Sequence, residues 1–148
     1  MRRVVLITGC STGIGRTVME GLTAIGHAVV ATARRAASLT GFAASSVLVL
    51  DVSDSAATDL AVAAIPRRHG RIDVLLNDAG IAVRGVVEEV PGAAVEAMVD
   101  VNVFGVSRIV RPGRCCPRHA ASEVVRRDEW RSARRGGLHG HRAVSRSG

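Results

Sequence analysis

The stretch Thr8-Gly9-Cys10-Ser11-Thr12-Gly13-Ile14-Gly15 is the part of this 148-residue chain whose residue types and spacing most directly imply chemistry. Glycines at 9, 13 and 15 permit a tight turn and close backbone approach, and a helix opening here aims N–H groups at an anion. The loop follows the apolar run Val4-Val5-Leu6-Ile7 and precedes a helical apolar period. Strand, glycine turn and helix in that order predict a pyrophosphate cradle rather than an ordinary turn, with Ser11, Thr12 and Ile14 inside it. A second signal follows the next apolar run, Ala28 to Thr32. An acid at this place would hydrogen-bond a ribose 2′-hydroxyl and repel a 2′-phosphate; the chain has Ala33-Arg34-Arg35 instead. Arginine's planar fork suits a phosphate. Arg34 and Arg35, with Arg16 in support, therefore predict NADP in preference to NAD.

The elements that must position these residues alternate in the rhythm of a parallel sheet with crossover helices. Val4–Ile7 predicts a first strand buried on both faces. Ile14, Val18, Leu22 and Ile25 then recur at helical spacing up to Gly26. Ala28–Thr32 and Val47–Leu50 read as strands two and three, with a small-residue segment between them that has room for a helical turn. Ser53 or Asp54 can cap a helix whose inner face would carry Ala57, Leu60, Ala61, Ala64 and Ile65; Pro66 and Gly70 leave its end open. Ile72–Asn77 is a fourth strand delivering the loop Asn77-Asp78-Ala79-Gly80. Pro91 opens a last helix, whose stripe Val95, Met98, Val99, Asn102 and Val106 contains one polar residue. Asn102 needs either a partner or a task.

All 20 basic side chains are arginine, and the chain has neither lysine nor tyrosine. The net charge of +7 divides unevenly: residues 1–107 hold 9 Arg against 10 acids, a net of −1, and residues 108–148 hold 11 Arg against 3 acids, a net of +8. No apolar stretch is long enough for a membrane span. Three cysteines, Cys10, Cys115 and Cys116, do not make a paired framework, so a reducing cytoplasm is the expected location. Residues 112–148 show no apolar period and are expected to form a poorly ordered basic tail. Cys115, Cys116, His119, His139 and His141 match no usual zinc spacing, so no metal is expected. Nucleic-acid binding through the tail's arginines is an alternative, weakened by a single aromatic, Trp130, for base stacking.

At this point the residues resemble the short-chain dehydrogenase/reductase family. Gly9-x-x-x-Gly13-x-Gly15 is similar to its cofactor loop, Asp51-Val52 to its adenine-contacting pair, and Asn77-Asp78-Ala79-Gly80 to its Asn-Asn-Ala-Gly loop. Asn102 within Val101-Asn102-Val103-Phe104-Gly105 resembles the asparagine of its catalytic tetrad. The resemblance covers about residues 3–111. It implies a Rossmann-type doubly wound parallel sheet, truncated to about four strands in the order 3-2-1-4. It also implies an NAD(P) cofactor and hydride transfer between that cofactor and a small alcohol or carbonyl substrate. By the same resemblance Asp51 holds the adenine amino group, Asn77 meets the adenosine side through its backbone, Ala79 and Gly80 line the cofactor, and Asn102 supports a proton-relay water. Intact members are commonly homo-oligomers.

Two departures matter. Asp78 stands where the family has asparagine, and its carboxylate either disturbs the loop's hydrogen bonds or replaces the amide as a near-isostere. More consequentially, the family's catalytic Ser and Tyr-x-x-x-Lys are missing. Residues 1–111 thus read as a dinucleotide-binding portion and 112–148 as a separate basic segment. That segment is expected to be a frame-shifted continuation, in which case another reading frame downstream encodes the family's second half. The alternative is a noncatalytic NADP-binding module, a pseudoenzyme that works by holding a partner.

Overall fold

The computed structural model describes residues 1–41 and 43–112. Expectations for the tail, including its disorder and its cysteine and histidine positions, lie outside the described residues. Four strands, β1 (Val4–Thr8), β2 (Ala28–Ala33), β3 (Ser46–Val49) and β4 (Val74–Asn77), form one sheet. Its order is β3-β2-β1-β4 with every pairing parallel, the topology expected from the sequence. The helices are α1 (Gly13–Ala24), α2 (Ser55–His69), α3 (Gly92–Val99) and α4 (Val106–Val110). A short 3₁₀ turn, Ala36–Leu39, occupies the small-residue segment, and a π-helical turn, Asp100–Gly105, joins α3 to α4.

Alternation along β1 divides the core into two layers, because successive side chains of a strand point to opposite faces. Val4 and Leu6 pack with Val62, Ile65 and Ile109 on one side, and Val5 and Ile7 pack with Met19 and Leu39 on the other. A parallel sheet covered on both faces needs no polar side, which is why β1 and β2 are buried throughout.

Three helical faces agree with the periodicity reading only in part: Val18 and Leu22 of α1, and Ala57, Ala61 and Ile65 of α2, pack on the core as expected, and other positions differ. In α1 the buried residues are Gly15 and Met19, with Ile14 and Ile25 each 71% exposed. In α2 the inner face is Thr58, Val62 and Ile65, while Leu60 is exposed. Thr58 can face the core because its hydroxyl donates to the Asp54 carbonyl at 2.7 Å, satisfying its polarity within the helix. In the last helix Val95 and Val99 are exposed and Gly105 and Ile109 are buried. The π turn adds a residue to one turn, so the face presented to the sheet is no longer the one a constant 3.6-residue period selects.

The end points follow local chemistry. Asp54 caps α2, its carboxylate accepting from the Ala57 N–H at 3.0 Å. That helix runs through Pro66 and stops at Gly70, whose φ is +82°. Strand four begins at Val74 rather than Ile72, because Asp73 uses its carboxylate to accept the Val4 N–H at 2.7 Å. Among the described residues β4 pairs on one side only, with β1, and Val103 and Phe104 of the nearby π turn are more than half exposed. Among the described residues β4 is thus an edge of the sheet, with exposed apolar surface of the last helix beside it.

Candidate dinucleotide site

All four strands point their carboxyl ends at one cleft. The strand order reverses between β1 and its two neighbours, and ligands of open α/β sheets settle at such a switch point. The cleft has a volume of about 290 Å³, and Gly9, Ser11, Thr12, Gly13 and Ile14 line it after β1, Arg34 after β2, Asp51 and Val52 after β3, and Ala79 and Gly80 after β4. A shallower concavity adjoins it, lined by Ser11, Thr12, Arg16, Arg34, Arg35 and the Ala37–Thr40 segment. Arg34 borders both.

The loop after β1 is shaped by what lies beneath it. Gly9 has φ +78°, and a Cβ there would stand 2.6 Å from the Ala79 nitrogen and 2.7 Å from its Cα. The Cys10 N–H donates to the Thr32 carbonyl at 2.8 Å, tying the loop to β2. The Cys10 side chain is fully buried, and burial raises its thiol pKa, so it serves the core rather than redox chemistry. Thr12, the N-cap of α1, makes no side-chain cap of its own; the side-chain acceptor in that first turn comes from Asp78.

Gly15 and Asn77 lie below the cleft. Gly15 is buried, and its N–H donates to the Asp78 carboxylate at 2.7 Å. The departure at position 78 therefore keeps the loop intact, because a carboxylate oxygen accepts where an amide oxygen would. Asn77 closes β4 in register with Thr8. The Thr8 hydroxyl accepts from the N–H groups of both Asp78 and Ala79, at 3.1 Å each. Sequence reasoning passed over this clamp, although a threonine ending a fully buried strand signals that its hydroxyl has partners.

Asp51 is held in its ionised form. The Ser53 hydroxyl donates to it at 2.7 Å and the Ser53 N–H at 2.9 Å, and these bonds, with the charge of Arg34, keep its pKa below the ordinary carboxylate value.

Asn102 sits in the π turn with its partner supplied. Its Oδ1 accepts the Ile81 N–H at 2.9 Å and its Nδ2 donates to the Ile81 carbonyl at 2.9 Å, fastening the loop after β4 to the last helix. Arg108, grouped by charge with the tail, belongs to this framework. Its guanidinium meets the Asp100 carboxylate at 2.6 Å and donates to the carbonyls of Asp100 and Val52 at 3.4 and 3.3 Å. Among the described residues no group of His, Cys, Asp and Glu is arranged to hold a metal, and no helix is long and apolar enough to cross a membrane.

Comparison with known proteins gives a consistent result. The family model described as short chain dehydrogenase matches residues 3–113. Gluconate 5-dehydrogenase of Gluconobacter oxydans is 39% identical over 122 residues, covering 77% of this chain and 46% of that protein. A short-chain dehydrogenase structure from Streptomyces avermitilis superposes with a TM-score of 0.71 at 34% identity, covering 76% of this chain and 43% of that one. A gluconate 5-dehydrogenase from Burkholderia cenocepacia, solved in complex with NADP and tartrate, gives a TM-score of 0.66 at 33% identity, covering 74% and 46%. The chain spans less than half the length of the curated relatives it matches.

Proposed function

The chain belongs to the short-chain dehydrogenase family, and on that premise we propose that residues 1–111 are the dinucleotide-binding portion of an NADP-preferring oxidoreductase acting on an alcohol or carbonyl substrate, with residues 112–148 a separate basic segment. We propose further that the 148-residue chain by itself holds cofactor without turning it over. The observation that carries the reading is the cleft at the switch point with Arg34 on its rim.

The cleft fits a dinucleotide on its own geometry. Open space lies over Gly13, where a Cβ would meet nothing within 4 Å, and the start of α1 favours an anion. When bound, the dinucleotide supplies or accepts a hydride. The chain's residues then divide the work of holding it. The Gly9–Ile14 loop takes the diphosphate, Arg34 and Arg35 the 2′-phosphate, and Asp51, kept ionised by Ser53, the adenine amino group. Val52, Ala79 and Gly80 form the wall beside the adenosine and ribose, and Asn77, which ends β4 in register with Thr8, supports that wall from behind. Asn102 is a positioning residue that fixes the Gly80–Ile81 loop. The chain has no tyrosine or lysine to give or take the substrate proton, and general acid–base catalysis contributes about 10² to 10⁴-fold.

Titrating NADPH and NADH into the full chain, followed by an oxidation assay with a panel of carbonyl compounds, tests the proposal. NADPH is expected to bind at least about tenfold more tightly than NADH, the worth of one good charge-assisted contact, with no oxidation above background. Equal affinities would overturn the NADP preference, absence of both would overturn the site, and turnover would overturn the incomplete catalytic machinery.

Asp78 supports a second prediction. Its carboxylate lies beside the loop assigned to the diphosphate. A carboxylate facing the same half-wetted cleft as a diphosphate opposes its binding through like charge, by about 1 kcal/mol. Asp78→Asn preserves an acceptor for the Gly15 N–H and removes the charge. NADPH is expected to bind about fivefold more tightly to this variant at low salt, with the gain shrinking as salt screens the repulsion. Weaker binding at all salt concentrations would show that the carboxylate's bond to Gly15 outweighs its charge.

A further inference from the structure

One wall of the cleft is held by a residue that does not line it. Arg108, on α4, stands 56 residues beyond Val52, and its guanidinium divides its donors between two elements. Nη2 meets the Asp100 carboxylate at 2.6 Å, while Nη1 donates to the Val52 carbonyl at 3.3 Å and to the Asp100 carbonyl at 3.4 Å. Asp100 and Arg108 belong to one continuous helical run, so the ion pair alone would only brace the π turn. It also pins a rigid planar fork, and the pinned fork aims its other nitrogen at the segment after β3.

That segment has little freedom. Val52 is buried, and a Cβ on Gly105 of the π turn would stand 2.7 Å from the Val52 Cγ2. The Val52 carbonyl and the Ser53 N–H are the two ends of one trans peptide unit, and in a planar trans peptide they point in opposite directions. Holding the carbonyl therefore fixes where the N–H points, which is at the Asp51 carboxylate, 2.9 Å away. A cation on the carbonyl oxygen also polarises the peptide and makes its N–H a better donor. The other walls are secured without Arg108. The glycine loop is tied by the Cys10 N–H to Thr32 and by the Gly15 N–H to Asp78, and the Gly80–Ile81 loop is tied by the two Asn102 bonds.

We propose that Arg108, aimed by Asp100, is a positioning residue for the adenine end of the site, setting the orientation of the Asp51 carboxylate through the Val52–Ser53 peptide. The proposal rests on the reading that gives Asp51 the adenine amino group.

The first measurement needs no ligand. In the full chain carrying isotope-labelled aspartate, the Asp51 carboxyl resonance, identified with Asp51→Asn, is followed by NMR against pH. The Ser53 hydroxyl is the first cause of the lowered Asp51 pKa and the Ser53 N–H the second. Arg108→Met should loosen the N–H bond and raise the Asp51 pKa by about half a unit. Arg108→Lys keeps the positive charge and the pair with Asp100 but not the fork, and should raise the pKa nearly as far. The second measurement is binding of ADP and of nicotinamide mononucleotide. ADP is expected to bind about fivefold more weakly to both variants, the worth of one hydrogen bond, with nicotinamide mononucleotide within about twofold of the unaltered chain. Circular dichroism checks folding, and the lysine variant carries both measurements if the methionine variant does not fold. An Asp51 pKa in Arg108→Lys equal to that of the unaltered chain overturns the proposal, because the effect is then one of charge. Equal losses for ADP and nicotinamide mononucleotide overturn it too, as a general loosening of the fold. A raised pKa with ADP binding unchanged overturns the adenine role. An unaltered chain that binds neither ADP nor NADPH overturns the dinucleotide reading itself, and the ligand-free pKa still decides whether Arg108 orients Asp51.

Discussion

Gly9→Ala is expected to unfold the amino-terminal half of the site and remove dinucleotide binding with it. Two costs combine at this position. The residue has φ +78°, a region that costs an alanine roughly 1–2 kcal/mol. The new Cβ would also stand 2.6 Å from the Ala79 nitrogen, 2.7 Å from its Cα and 2.8 Å from the Asp78 carbonyl carbon. These are backbone atoms, so no side-chain rotation relieves the contact. The loop after β1 has to separate from the loop after β4, straining the Thr8 bonds to Asp78 and Ala79. Overpacking of this kind costs about 1–3 kcal/mol. The total of roughly 2–5 kcal/mol is a large part of the 5–15 kcal/mol that holds an ordinary domain together. A thermal melt followed by circular dichroism should show a fall in Tm of at least about 10 °C. Gly21→Ala is the control: it lies in α1, where a Cβ meets nothing within 4 Å, and should be neutral or stabilising by about 0.5–1 kcal/mol. If the two variants melt alike, the close approach of the loops does not hold the site together.

The contrast between these glycines shows what was legible in the sequence. Gly9 stands between an apolar run and a helical period, so the turn and its place in the fold could be read from local order. Asp54 was legible for the same reason, since a capping carboxylate acts three residues away. The Thr8 clamp was not, because its partners lie 70 and 71 residues further on and local patterning carries no such information. Helical faces failed differently. Ile14, read both as the first residue of α1's apolar period and as part of the cradle, lines the cleft, while Val18 and Leu22 of the same period pack against the core beside Met19, because the face that meets the sheet is fixed by where the strand delivers the helix. In the last helix, the π turn changes the period itself. Asn102 was read as needing either a partner or a task, and the structure gives it a partner in Ile81. Arg108 was grouped with the tail by its charge, although its donors go to Asp100 and Val52. Total charge alone does not distinguish a structural arginine from a solvated one.

Arg34→Ala is expected to weaken NADPH binding by about 10- to 100-fold while leaving NADH within about twofold, since charge-assisted hydrogen bonds to a phosphate contribute roughly 1.5–3 kcal/mol. Arg34 is the side chain placed to make that distinction. It follows β2, borders both the main cleft and the basic concavity beside it, and is exposed enough to meet a ligand phosphate without prior burial. Arg16 is a poorer candidate for the dominant contact, because it pairs with Glu20 at 3.0 Å, although an exposed pair of this kind holds its partners only weakly. Arg35 adjoins the same concavity, so Arg34→Ala/Arg35→Ala should lose more NADPH affinity than the single variant and still spare NADH. The Coulombic influence of Arg34 on Asp51 sets a limit on this selectivity. Removing the arginine lets the Asp51 pKa rise somewhat, but the two Ser53 bonds are the larger cause of its depression and remain, so Asp51 stays ionised at neutral pH and the adenine contact proposed for it, common to both cofactors, should be kept. Competition measurements at two salt concentrations separate the possibilities. A loss confined to NADPH and reduced by salt is the signature of a 2′-phosphate contact. An equal loss for both cofactors would mean that Arg34 supports the cleft through Asp51 instead, and no loss for either would place the 2′-phosphate somewhere other than this rim.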